Sequence, residues 1–242
     1  MSSGKDRNNL SAFKHTSSVS AAILKELRRG HTTDPFHAPP FSFFHCSPLG
    51  AVPKKDNTIR LILDLSAPAG FSVNDGIPPE MFSVRYSSFD SAVLLVRDMS
   101  KGCFMAKVDI KHAFRLCPVH PDDWPLLGYK WLGKYYFDIC LPFGSRSSPF
   151  ILNSFADSLA WILVQKFHVT VLIHYLDDFF VCVPTRSECQ RKEDAIKSVF
   201  AMLKVPIAED KLEGPSQQLV FLGIEIDSVY MGCRLPQDKF LA

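Results

Sequence analysis

The stretch 169-VTVLIHYLDDFFVCV-183 is apolar on both sides of two adjacent aspartates, and its Val, Ile, Phe and Tyr predict a strand, a turn and a second strand. Short apolar runs broken by turn residues recur along the chain. Strands are expected around 49–55 and 59–65, separated by the turn signal Asp56-Asn57, and again at 103–110. A hairpin is expected over 126–141 with Gly133-Lys134 at its turn, and a last strand over 219–227. Apolar positions at helical spacing predict four helices. They cover 21–30 closed by Gly30, 88–100 with Ser88 as N-cap, Pro149 to about Phe167, and 187–205. Prolines forbid a helix over 34–50, and the polar residues 1–20 read as loose. Strands and helices mix without strict alternation, so the expected class is α+β and not a doubly wound parallel sheet.

Composition narrows this only a little. The 242 residues, 47% of them hydrophobic, suit one large domain or two small ones with a real core. A net charge of +2 says little, but residues 1–60 carry +5 and the remainder −3. That split suits an anionic ligand on one lobe and a cation on the other, and it equally suits an uneven solvated surface. Seven cysteines include no C-x-x-C pair, and Cys103, Cys117, Cys140 and Cys182 lie among apolar residues, as reduced thiols of an intracellular protein do. Nucleus and cytosol stay equally open. Eight histidines show no zinc-site spacing. No signal core and no run of transmembrane length is present, so no membrane role is expected.

Neighbouring side chains of a strand point to opposite faces, so Asp177 and Asp178 cannot both enter a core. A tight hairpin with Leu176-Asp177-Asp178 at its tip lets both emerge at one edge, where they read equally as turn chemistry or as a charged site. Asp109 ends another apolar strand, 103-CFMAKVDI-110, 68 positions before Asp177. Three acids at strand ends are what a two-metal site for in-line displacement needs, because hard cations such as Mg²⁺ bind through a few carboxylates and substrate phosphates.

With those acids in view, 175-YLDD-178 resembles the Y-x-D-D motif of reverse transcriptases, and 107-KVDIKHAF-114 resembles their first palm motif. The segment 141-LPFGSRSSP-149 is similar to the family's loop-to-helix motif, and 52-VPKKDNTIRLILDLS-66 to the fingers segment that holds the incoming triphosphate. The run 221-FLGIEID-227 resembles the primer grip, so five motifs stand in the family's order across roughly 46–227. The wording of 47-SPLGAVPKK-55, 70-GFSVNDGIPPE-80 and 220-VFLGIEIDSVYMGCRLPQDK-239 looks most like DIRS-type retrotransposons, which carry a tyrosine recombinase.

The resemblance implies a right-hand polymerase unit of fingers and palm, with a ferredoxin-like palm sheet and a missing or truncated thumb. It implies an N-terminal extension with a short helix at 1–36, fingers and palm at 37–230, and the start of a thumb or connection at 231–242. Asp109, Asp177 and Asp178, with the Ile110 carbonyl, would hold two Mg²⁺ ions, for which Mn²⁺ would substitute. Lys54 and Arg60 would neutralise the triphosphate, with Lys55 as the competing lysine, since the spacing to Arg60 is one residue shorter than the family's. Phe114 would select deoxynucleotides by excluding a ribose 2′-hydroxyl. Phe143 and Gly144 would contact the nucleotide, and Lys211 would protonate the leaving pyrophosphate. Tyr175, Arg146, Phe221, Leu222 and Gly223 would meet primer or template. Implied partners are an RNA or DNA template with its primer, deoxynucleoside triphosphates, and RNase H and recombinase regions of a parent polyprotein. The rival is an inactive element fragment or a domesticated nucleic-acid-binding module.

Overall fold

The computed structural model describes residues 8–54 and 58–236, so Lys55, the Asp56-Asn57 turn and the ends of the chain lie outside the described residues. In chain order the elements are α1 (Leu10–Lys14), α2 (Thr16–Arg28), β1 (Leu49–Pro53), β2 (Ile59–Leu63), α3 (Phe89–Asp98), β3 (Phe104–Asp109), β4 (Gly128–Trp131) and β5 (Lys134–Phe137). There follow α4 (Ser148–Phe167), β6 (Leu172–Tyr175), β7 (Asp178–Val183), α5 (Arg186–Met202), β8 (Glu213–Ser216), β9 (Gln218–Phe221), β10 (Ile224–Asp227) and β11 (Gly232–Arg234). Short 3₁₀ turns include Val73–Gly76, Ala113–Leu116 and Glu209–Lys211.

The chain divides into two compact units, the first built from Met1–Ser83 and Phe114–Ile151, the second from Val84–Ala113 and Leu152–Ala242. Two antiparallel hairpins, β1–β2 and β4–β5, frame the first unit. Its core gathers Leu49, Ala51, Leu63, Leu127, Tyr129, Trp131 and Tyr136, together with Ala12, Val19 and Ile23. Those last three correct the expectation of a loose N-terminus. Val19 and Ile23, four apart, share one face of α2, Ala12 lies in α1, and burying these side chains in one core orders both helices.

In the second unit a sheet runs in the order β6-β7-β3-β8, and β11-β10-β9 form a three-stranded meander. Phe180, Cys182, Met105 and Cys103 pack with Ala92 and Val96 of α3 and with Leu219, Phe221 and Ile226. Ser88 caps α3 as expected: its side chain accepts from the Ser91 amide while the Ser91 side chain answers the Ser88 amide.

Four boundaries differ from expectation, each for a backbone reason. The β4–β5 turn is Leu132-Gly133 and not Gly133-Lys134, because both central residues take positive φ, 46° and 79°. The expected single strand 219–227 is folded in two at Leu222-Gly223, whose φ values are 47° and 80°. Helix α5 stops at Met202: Lys204 turns to φ 57° and the Val205 amide closes back on the Phe200 carbonyl at 2.8 Å. Strand β8 had no propensity signal, since 213-EGPS-216 carries Gly and Pro, and it exists by pairing with β3.

Candidate active site

The β6–β7 hairpin is as tight as the pattern required, with Tyr175 opposite Asp178 and only Leu176-Asp177 between them. Leu176 stands at φ 52°, a conformation that costs a non-glycine residue about 1–2 kcal/mol. The apolar strand β7, buried from Phe179 to Val183, holds the turn against that strain. Register then does the decisive work: Asp109, the last residue of β3, lies directly opposite Asp178. The Ile110 amide donates to the Asp177 carbonyl at 2.9 Å, tying the turn to the end of β3. All three acids therefore gather at one end of the second unit's sheet.

Like charges facing across a ladder repel, and the electrostatics record it. Burial, the bond to Asp109 and the charges of Asp109 and Asp177 push the Asp178 carboxyl from 3.8 up to about 7, with Lys107 pulling the other way. Lys211 Nζ donates to Asp109 Oδ2 at 2.8 Å from the 3₁₀ turn Glu209–Lys211. Burial lowers the pKa of that ammonium, but the bond and charge of Asp109, backed by Asp177 and Asp178, outweigh it and leave the pKa raised. Lys107, two residues before Asp109 and so on the same face of β3, is held by Glu213 at 2.7 Å and the Val220 carbonyl at 3.0 Å. Lys107 and Glu213 were not among the expected site residues. The signal available was a lysine at an inward position of a buried strand, which needs a partner.

Of the residues expected to bind the nucleotide, Lys54, Arg60, Phe114, Phe143 and Gly144 fall in the first unit, as does Arg146, expected at primer or template, while Lys211 falls in the second. Arg60, Phe143 and Phe114 cluster: the Arg60 guanidinium lies 5.5 Å from the Phe143 ring centroid, and the Phe143 and Phe114 ring centroids are 5.0 Å apart with planes tilted by 56°. Lys54 and Arg60 are exposed, just after the end of β1 and near the start of β2. Gly144 sits at φ 116°, and a Cβ there would run into the Leu63 carbonyl oxygen. Arg146 is committed to the backbone, its Nη1 donating to the carbonyls of Asn74 at 2.7 Å and Ile77 at 2.6 Å. Asn74 is the residue that the pattern concealed. Its buried amide donates to the Gly144 carbonyl and Ser66 Oγ and accepts from the Arg146 amide, each at 2.8 Å. In the sequence its Asn-Asp-Gly context carries only a turn signal.

Tyr175 packs on Tyr86 in the second unit, ring centroids 4.9 Å apart. Phe221 is fully buried and lies 5.0 Å from the Phe180 ring, so its side chain is core and not a primer contact. Strand alternation puts Leu219, Phe221 and Ile226 inside, and Leu222-Gly223 forms the turn between β9 and β10.

Among the described residues no three His, Cys, Asp or Glu side chains stand ready as a metal cage. The donor chemistry nonetheless fits a hard cation. The three acids offer only oxygens, and their charge is balanced here by a proton on Asp178 and by the Lys211 ammonium, both of which a divalent ion would replace. No helix among the described residues is long and apolar enough to cross a membrane.

Known proteins share this arrangement of chain. The Pro-Pol polyprotein of simian foamy virus type 3 (strain LK3) is 23% identical over 180 residues, covering 74% of this chain and 14% of its own length. The Tf2-3 transposon polyprotein of Schizosaccharomyces pombe is 23% identical over 198 residues, 80% of this chain and 14% of its own. The chain thus spans about one seventh of the length of these relatives. A foamy viral protease-reverse transcriptase solved with an RNA/DNA hybrid superposes with TM-score 0.71 at 20% identity, covering 93% of this chain and 27% of that one. The same kind of enzyme solved with double-stranded DNA gives 0.73 at 18% identity, with 98% and 45% covered. The fold is therefore that of reverse-transcriptase fingers and palm. The family described as reverse transcriptase (RNA-dependent DNA polymerase) matches residues 52–226, well over half of the chain, and the chain belongs to that family.

Proposed function

We propose that this domain extends a primer with deoxynucleotides on an RNA or DNA template, by phosphoryl transfer at Asp109, Asp177 and Asp178. The observation that carries the proposal is the register of Asp109 opposite Asp178 with Asp177 in the adjoining turn. In it the three carboxylates, with the Ile110 carbonyl, hold two Mg²⁺ ions or Mn²⁺ in their place. When bound, such ions supply an activated 3′-hydroxyl and a clamp on the triphosphate.

The chain's own groups do the rest. Arg60, and Lys54 before it, neutralise triphosphate charge, for which the fork of Arg60 suits two phosphate oxygens. Phe114, braced by Phe143, presents a ring edge that a ribose 2′-hydroxyl would strike. Gly144 lets backbone approach the nucleotide, and Asn74 with Arg146 holds that loop in shape. Lys211, whose ammonium lies beside Asp109, would be the group that protonates the leaving pyrophosphate. Tyr175 and the Leu222-Gly223 turn guide the primer end. The first unit then corresponds to fingers and the second to palm, with 231–242 as the start of a thumb or connection. The motif wording from 47-SPLGAVPKK-55 onward supports a DIRS-type parent, with RNase H and recombinase regions as neighbours in its polyprotein and an intracellular setting.

A primed template, deoxynucleotides and Mg²⁺ test the proposal directly. The wild-type domain adds nucleotides, and Asp177→Asn abolishes addition while template–primer binding persists. Equal behaviour of the two proteins in both assays would overturn the polymerase reading and leave a nucleic-acid-binding module or a spent fragment.

A further inference from the structure

The family match begins at residue 52, yet a side chain from well before it is built into the ground beneath Phe114. Glu26, near the end of α2, forms an ion pair with Arg115, its Oε2 lying 3.1 Å from Nε, and His31 Nδ1 lies 3.0 Å from the same oxygen. The other face of the Arg115 fork donates from Nη1 to Asp138 Oδ2 at 2.6 Å. The Arg115 and Asp138 side chains are only 10% and 6% exposed. Burial works against the Arg115 charge, and Asp138 and Glu26 more than restore it. An isolated charge this deep would be untenable, and even a paired one is weak as a source of stability; its common use is to fix geometry.

What it fixes here is specific. Arg115 is the residue after Phe114 in the 3₁₀ turn Ala113–Leu116. Asp138 opens the stretch that runs through Leu141 to Phe143, and the Leu141 amide is tied to the Cys117 carbonyl at 2.9 Å. One guanidinium thus joins the two segments that carry the packed Phe114 and Phe143 rings. Glu26, Arg115, Asp138 and Phe143 also line one small pocket together. We propose that Glu26, Arg115 and Asp138 are positioning residues for the Phe114–Phe143 ring pair, so that the N-terminal helix α2 helps to set sugar selectivity. The selectivity half of this rests on Phe114 being the ring that meets the sugar.

Two readouts test it on the full chain. Fluorophenylalanine placed at 114 reports the ring by ¹⁹F resonance without any turnover, with a second label at Phe82 as control. Glu26→Gln and Asp138→Asn keep shape and remove charge, while Arg115→Lys keeps charge and removes the fork. Each variant is expected to shift or split the 114 resonance and leave that of 82 in place. A 114 resonance unmoved in all folded variants overturns the proposal. In single-nucleotide incorporation, Glu26→Gln should lower the deoxy-to-ribo preference by about ten- to a hundredfold, the scale on which a misplaced contact acts. Phe114→Val provides the benchmark. If Phe114→Val relaxes the preference and Glu26→Gln does not, the positioning role in selectivity is wrong. If Phe114→Val itself changes nothing, the reading of Phe114 is wrong, and the resonance alone judges the geometry.

Discussion

An aspartate that titrates near pH 7 is a statement about stability as well as about a site. The Asp178 carboxyl moves from 3.8 to about 7 on folding, through burial first and then the bond and charge of Asp109. Between those values the folded chain keeps a proton that the unfolded chain has lost. The contribution to stability is complete below pH 3.8, fades as pH rises, and is gone above about 7. Urea denaturation of the metal-free protein should therefore show stability falling from pH 4 towards 7, and Asp178→Asn should flatten that slope. Because a divalent cation competes with the same proton, added Mg²⁺ should raise the melting temperature more at pH 8 than at pH 5. Gly144 makes a different demand at the same scale. With φ 116° and the Leu63 carbonyl in the way, Gly144→Ala should cost about 1–3 kcal/mol in denaturant unfolding. Asn74→Ala should cost a similar amount, about 1–3 kcal/mol, because it removes the three hydrogen bonds of a buried side chain, to the Gly144 carbonyl, Ser66 Oγ and the Arg146 amide.

Among the elements, the hairpins separate what a linear pattern reveals from what it hides. Apolar runs located β1, β2, β3, β6 and β7, and the Y-L-D-D tip was legible because its flanks are strongly strand-forming. The fold of 219–227 into two strands was not legible. A continuous apolar run looks the same whether it passes straight on or turns at a Leu-Gly pair whose conformation only neighbouring strands dictate. That turn changes a residue's role. Phe221, expected at the primer, packs against Phe180 at the centre of the second core. Truncating it to alanine should cost about 3–5 kcal/mol, the usual range for a buried phenylalanine. Leu222→Ala, at the turn, should cost well under half of that, while weakening primer extension more than it weakens the fold. Denaturant midpoints and extension rates of the two variants, measured side by side, check both roles. A loss of extension from Phe221→Ala without loss of stability would return Phe221 to the primer.

Over the whole molecule, sequence order conceals spatial grouping. Asp109 and Asp178 are neighbours only through strand register, and Asn74 reaches Gly144 across 70 positions, so neither contact has a local signature. Helix α1 and the start of α2, before the expected helix at 21–30, had no local signature for the same reason: their apolar residues are sparse until Ala12 and Val19 join Ile23 in the core that contains Trp131 and Tyr136. Both units are discontinuous, since the chain passes from one to the other after Ser83, Ala113 and Ile151. Strand β3 depends wholly on later sequence, because its ladder partners are β7 and β8. A chain ending at Ile151 would retain every strand of the first unit and both hairpins, but it would supply β3 with no partner. Hydrogen exchange on such a fragment should show protected amides over Leu49–Leu63 and Gly128–Phe137, and exchange close to that of unfolded chain over Phe104–Asp109. Protection of Phe104–Asp109 in the fragment would mean that β3 finds another partner. The acid at its end would then not require the Y-L-D-D hairpin for its placement.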